Sequence, residues 1–125
     1  MGNKLNKPTD SELEILQVLW EKKSASVREV HETMLRNNKE TGYTTTLKLM
    51  QIMFEKGIVA RDSSRKVHLY QPLVSKENTQ DFFVKRMIDG LFSGSSAQLV
   101  MQALGNNKAS KNEIDEIKRF LETID

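Results

Sequence analysis

Residues 42–59 read GYTTTLKLMQIMFEKGIV, and the fold turns on how this stretch is read. A helix from about Gly42 to Lys56 accounts for its period, because Thr46, Leu49, Met50 and Met53 follow the 3, 1, 3 spacing of a buried face. Gly57 stands where the residue after a helix C-terminus takes a left-handed conformation. The first turn is unusual. It holds three threonines, whose β-branching makes them indifferent helix formers. Thr44, Thr45, Lys48 and Gln51 fall on the outward side, as do Leu47 and Ile52. Two outward aliphatics on a polar face ask for a partner surface.

Before this stretch lie two capping boxes, in which a Ser or Thr and a Glu three residues on satisfy each other's free backbone N–H groups. Thr9/Glu12 opens a helix with Leu13, Leu16, Val18, Leu19 and Trp20 as its apolar stripe, ending near Lys23. Ser26/Glu29 opens a second, with Val27, Val30, Met34 and His31 as candidates for its inner side. The connection NNKETG to the third helix is longer than a tight helix-turn-helix turn. After Gly57 the period changes: IVARD (58–62) and KVHLYQP (66–72) read as short strands around the polar tip SSRK. Pro72 ends the second strand or sits at its edge. Three helices and a two-stranded hairpin make a winged helix-turn-helix.

From Ser75 the chain is helical again: residues 75–92, a break at SGSS, AQLVMQAL, a break at GNNKA, and a last helix capped by Ser110/Glu113. That helix spaces Ile114, Ile117, Leu121 and Ile124 as a short a/d seam. The expected fold class is mainly α with a small β hairpin. Residues 1–74 form the winged-helix domain and 75–125 a helical region.

Composition narrows the chemistry. The 125 residues contain no cysteine, which excludes disulfides, thiolate catalysis and cysteine-held metals. The net charge is +2, with 12 Lys+Arg against 9 Asp+Glu in residues 1–74 and 7 against 8 in 75–125, so the first part is mildly basic. No apolar run approaches the roughly 18 residues of a membrane span, and MGNKLNKPTD lacks the apolar core of a signal peptide, so a cytoplasmic protein without membrane contact is expected. His31 and His68, the two imidazoles, belong to no metal-ligand or nucleophile motif, and no phosphate-binding glycine loop is present. No enzyme, metal or cofactor is expected.

A helix N-terminus presents free N–H groups to phosphate, and small hydroxyl side chains there reach phosphates and bases without holding the backbone away. Thr44 and Thr45 then meet a DNA groove, Lys48 and Gln51 reach a phosphate or base edge, and Leu47 lies against thymine methyls. Arg65 and Lys66 at the hairpin tip suit a wing on the phosphate backbone, with His68 a marginal addition. The plainer alternatives are a solvated helix face and an ordinary polar tip. A winged-helix protein-interaction module, with Leu47 and Ile52 as its contact surface, is the rival from another class. Phe82, Phe83, Phe92 and Trp20 are most simply core or interface.

Over nearly its whole length the chain resembles the penicillinase-repressor family of bacterial winged-helix repressors. The resemblance rests on SELEILQVLWEKKSASVREV (11–30), GYTTTLKLMQIMFEKGIVARD (42–62) and HLYQPLVSKE (68–77). It implies a homodimeric, sequence-specific repressor that occludes promoters at palindromic double-stranded DNA operators. By position it puts Tyr43, Thr44, Thr45, Leu47, Lys48 and Gln51 on the recognition helix and Arg65 and Lys66 on the wing. It implies dimerisation through the C-terminal helices, to which Phe82, Phe83, Met87, Leu91, Ile114, Ile117, Leu121 and Ile124 contribute. In β-lactam-responsive members an inactivating protease cuts between an Asn and a Phe in that region. The matching segment here is SAQLVMQALGNN (96–107), with Gln102–Ala103 at the aligned bond. Two departures stand out: Ile52 replaces an Arg common in the family, and the C-terminal cysteines of the copper-responsive branch are absent.

Overall fold

The computed structural model describes residues 7–106 and 109–124. Helices α1 (Asp10–Lys22), α2 (Val27–Arg36) and α3 (Tyr43–Glu55) lead to strands β1 (Val59–Asp62) and β2 (Leu69–Pro72), then α4 (Lys76–Leu91), α5 (Ser96–Asn106) and α6 (Lys111–Thr123). This is the expected order of a winged helix followed by a helical region. The chain divides into two compact units, Met1–Thr79 and Gln80–Asp125, so the division falls one turn into α4. Of the GNNKA break, residues 107 and 108 lie outside the described residues, as do residues 1–6 of the N-terminal stretch.

Local chemistry sets the helix ends. All three capping boxes form, at Thr9/Glu12, Ser26/Glu29 and Ser110/Glu113. Gly57 ends α3 at φ 80°. Its N–H donates to the Phe54 carbonyl and the Ile58 N–H to the Met53 carbonyl, the paired bonds of a Schellman motif, with Met53 and Ile58 both buried beside it. The same motif ends α2: Asn38 has φ 64°, its N–H donates to Leu35 and the Lys39 N–H to Met34. That turn explains the long connection to α3. Asn tolerates the left-handed region better than most residues with a Cβ.

Among the described residues, the core lies wholly in the first unit. Ile15, Leu16, Val18 and Leu19 of α1, Val27, Val30 and Met34 of α2, Met50 and Met53 of α3, and Ile58, Val59 and Tyr70 of the hairpin close around one another. β1 and β2 pair antiparallel, Val59 opposite Pro72 and Arg61 opposite Tyr70. Tyr70 also exchanges both backbone bonds with Ala25, at 2.8 and 3.0 Å, tying the hairpin to the segment between α1 and α2. Trp20 Nε1–H donates to the Val74 carbonyl at 2.9 Å. Leu47 and Ile52 depart from the sequence reading. Both are half-buried, and Leu47 packs against the edge of the core.

One charged group sits in this core. Glu12 is 2 % exposed, and its Oε1 accepts from Lys56 Nζ at 2.8 Å and from the Thr9 N–H at 2.9 Å. The pair fastens the start of α1 to the end of α3. Replacing Lys56 by Met is expected to destabilise the protein by about 2 kcal/mol, below the roughly 3–5 kcal/mol of a fully buried pair because Lys56 is partly solvated. Adding Glu12→Gln should recover part of that loss, since the stranded carboxylate is the main penalty. Urea unfolding followed through Trp20 fluorescence checks both.

The second unit is built differently. Among its described residues none is buried. Leu91 is 75 % exposed, Met101 71 %, Phe120 60 %, Ile124 58 % and Leu121 56 %. Phe82, Val84, Met87 and Val100 are exposed too, while Phe83, Ile114 and Ile117 are half-buried. Three amphipathic helices of this length expose more apolar surface than a monomeric protein ordinarily does.

Candidate nucleic-acid interface

The tip of α3 is held from α2. His31 Nε2–H donates to the Thr41 carbonyl at 3.0 Å, and its ring meets Tyr43 edge-on with centroids 5.6 Å apart. Gly42 is the N-cap and supplies no side-chain acceptor, so no capping side chain occupies the first turn's free N–H groups. Thr46, pointing inward, donates its hydroxyl to the Gly42 carbonyl at 3.1 Å. The three threonines therefore divide. Thr46 is buried and ties the first turn to itself, whereas Thr44 and Thr45 are exposed.

The sequence-derived residues fall into three places. Thr44, Thr45 and Lys48 occupy the exposed outer side of α3. Tyr43, Leu47 and Gln51, spaced by four, line one wall of a groove of about 680 Å³ together with Lys66. Arg65 is exposed at the hairpin tip. The groove runs between α3 and the wing and is completed by the start of α2 and by Arg61, Val67, His68 and Tyr70. Arg28, Arg61 and Lys66 bring three permanent positive charges to it and Glu29 one negative charge. Arg28 and Arg61 did not emerge from the sequence pattern, since neither stands on α3 or at the wing tip.

The wing tip is shaped by Asp62, whose Oδ1 accepts from the Ser64 N–H at 2.9 Å. That backbone bond, helped by the Ser64 hydroxyl, holds the carboxyl below its usual range. A depressed carboxylate pKa stabilises the turn above the ordinary aspartate range, and the contribution is lost as pH falls through the lowered value.

Among the described residues no cluster of His, Asp or Glu could hold a metal ion, and no helix is long and apolar enough to cross a membrane. The sequence matches the family described as penicillinase repressor over residues 8–123. It is 26 % identical over 121 residues to the methicillin resistance regulatory protein MecI of Staphylococcus aureus (strain N315), covering 97 % of this chain and 98 % of the relative. It is 24 % identical to a penicillinase repressor of Staphylococcus aureus, over 99 % of this chain and 98 % of that one. With the penicillinase repressor of Bacillus licheniformis the identity is 23 %, over 95 % and 92 %.

Proposed function

Because the chain belongs to the penicillinase repressor family, a family of regulators and not of enzymes, we propose that it is a cytoplasmic transcriptional repressor that binds palindromic operators as a homodimer and acts by occluding promoters. The observation that carries this reading is the outer side of α3, where Thr44, Thr45 and Lys48 stand exposed beside a cationic groove that ends in a basic wing. Small hydroxyls at a helix tip allow close approach to a duplex, and the lysine and the wing supply the phosphate contacts that set register. Tyr43, Leu47 and Gln51 face the groove side, and Arg65 and Lys66 reach the backbone from the hairpin. Phe82, Phe83, Met87, Leu91, Ile114, Ile117, Leu121 and Ile124 are covered by a second copy. The protein-interaction reading loses its main support, since Leu47 and Ile52 are half-buried.

The test is selection of duplexes from a random pool, followed by anisotropy titrations over a range of salt. Enrichment of a palindrome with strongly salt-dependent binding supports the proposal. Binding that is neither selective nor salt-dependent moves the function to a protein partner. With the selected duplex in hand, Lys48→Ala is expected to weaken binding to every sequence by a similar factor and to lower the salt slope by roughly one per subunit. Thr45→Ala should instead change the preference at one base step. If both variants bind like the wild type, the contact surface lies elsewhere.

A further inference from the structure

The groove between α3 and the wing contains a side chain that its surroundings leave unsatisfied. Arg61 pairs with Tyr70 across the hairpin, on the strand face where Val59 and Tyr70 are buried, so its side chain leaves β1 toward the helices. Its guanidinium carbon lies 4.2 Å from the centroid of the Phe54 ring, in the last turn of α3. Nε is buried without a hydrogen-bond partner. No ion pair among the described residues engages Arg61. The acid that shares the groove, Glu29, accepts the Ser26 N–H at 2.8 Å in the capping box. With Arg28 and Lys66, Arg61 is one of three cations that line the groove, and it is the one set over an aromatic ring.

A half-buried arginine without a carboxylate partner leaves its charge uncompensated within the protein, and an anion that meets its Nη groups offsets that charge. The cation–π contact with Phe54 holds the guanidinium in position, and its planar fork suits the bidentate contact that phosphate oxygens make. With α3 in a major groove and the wing beyond it, the strand between them crosses this floor as sugar and phosphate, not as base edges. We propose that Arg61, held over the Phe54 ring, is a phosphate clamp that grips the DNA backbone between the recognition helix and the wing. The inference rests on the DNA-binding reading given above. It adds a contact on a strand, where neither the helix tip nor the wing tip lies.

Full-length protein and the selected duplex test it, with thermal unfolding as the check on folding. Arg61→Gln is expected to weaken binding about tenfold per subunit on every sequence and to lower the salt slope by roughly one per subunit. Ethylation interference should then show one phosphate per half-site that matters to the wild type and not to the variant. Arg61→Lys and Phe54→Leu keep the charge, so each should retain the slope while binding several-fold more weakly. These two variants decide the matter if Arg61→Gln fails to fold. Wild-type affinity and slope in Arg61→Gln, or wild-type affinity in both Arg61→Lys and Phe54→Leu, overturn the clamp and leave the DNA reading standing. A wild-type protein that selects no sequence and binds without salt dependence overturns both.

Discussion

A protein ending at Gln80 is expected to fold, to be monomeric, and to bind a palindromic operator about 10²–10⁴-fold more weakly than the full chain. Folding is expected because the hydrophobic core cluster of the described residues runs from Ile15 to Tyr70. A cut at this point also keeps the Val74 carbonyl that Trp20 uses and the buried Thr79, whose hydroxyl donates to the Ser75 carbonyl at 2.7 Å. Loss of affinity is expected because one half-site offers few contacts, and a dimer makes the second binding event intramolecular at a high effective concentration. Sedimentation and anisotropy measure the two consequences separately. Charge substitutions in the intact chain give an independent check. Leu91 and Leu121 are 75 % and 56 % exposed, so in a monomer Leu91→Asp with Leu121→Asp would be surface changes of within about 0.5 kcal/mol each. A large loss of dimer and of operator affinity therefore requires that a second copy cover them. A truncated protein that stays dimeric or binds as tightly as the full chain moves the dimer contact into the first unit.

What could be read from the sequence was set within a few residues along the chain. Three capping boxes, the Gly57 terminator and the period of α3 each involve neighbours no more than four or five apart, and each forms. What could not be read joins distant positions. Glu12 and Lys56 are separated by 44 residues, and Glu12 carries the same capping-box signature whether or not it is buried. Tyr70 and Ala25 meet only once the hairpin has docked on the helices. The period of α3 placed Leu47 outward because a helical wheel assumes one narrow buried side, whereas Leu47 packs at the edge of the core and also lines the groove toward the wing. Arg61 was hidden for a like reason: its contact with Phe54 joins two elements that the sequence does not show side by side. Of the candidate site, the threonine tip and the hairpin cations were legible as residue types at fixed offsets. The groove that brings Tyr43, Gln51, Arg61 and Lys66 together was not.

Exposure of the native host to a β-lactam is expected to leave this chain uncut at Gln102–Ala103. In the β-lactam-responsive members that the sequence resembles, the cut falls between an Asn and a Phe, and a protease that selects an aromatic residue does so by filling a pocket with it. Ala in that pocket forfeits roughly 3 kcal/mol of burial, on the order of a hundredfold in cleavage efficiency. Here the bond also lies within α5, Ser96–Asn106, with Gln102 and Ala103 on exposed turns of the helix. Proteolysis favours exposed, unconstrained loop backbone, so a helical site must open before it is cut and depends the more on side-chain recognition to offset that cost. Ala103→Phe, placed in a host that carries such a protease, should therefore raise cleavage about a hundredfold over the wild-type chain. Immunoblots of both proteins before and after β-lactam exposure measure the effect. A fragment ending at Gln102 from the wild-type chain, made as readily as from the Ala103→Phe variant, would mean that the protease does not read this side chain. An intact wild-type chain in cells whose target genes are nonetheless induced would point to release of the repressor by a ligand or a partner that lowers its affinity for DNA without breaking the chain.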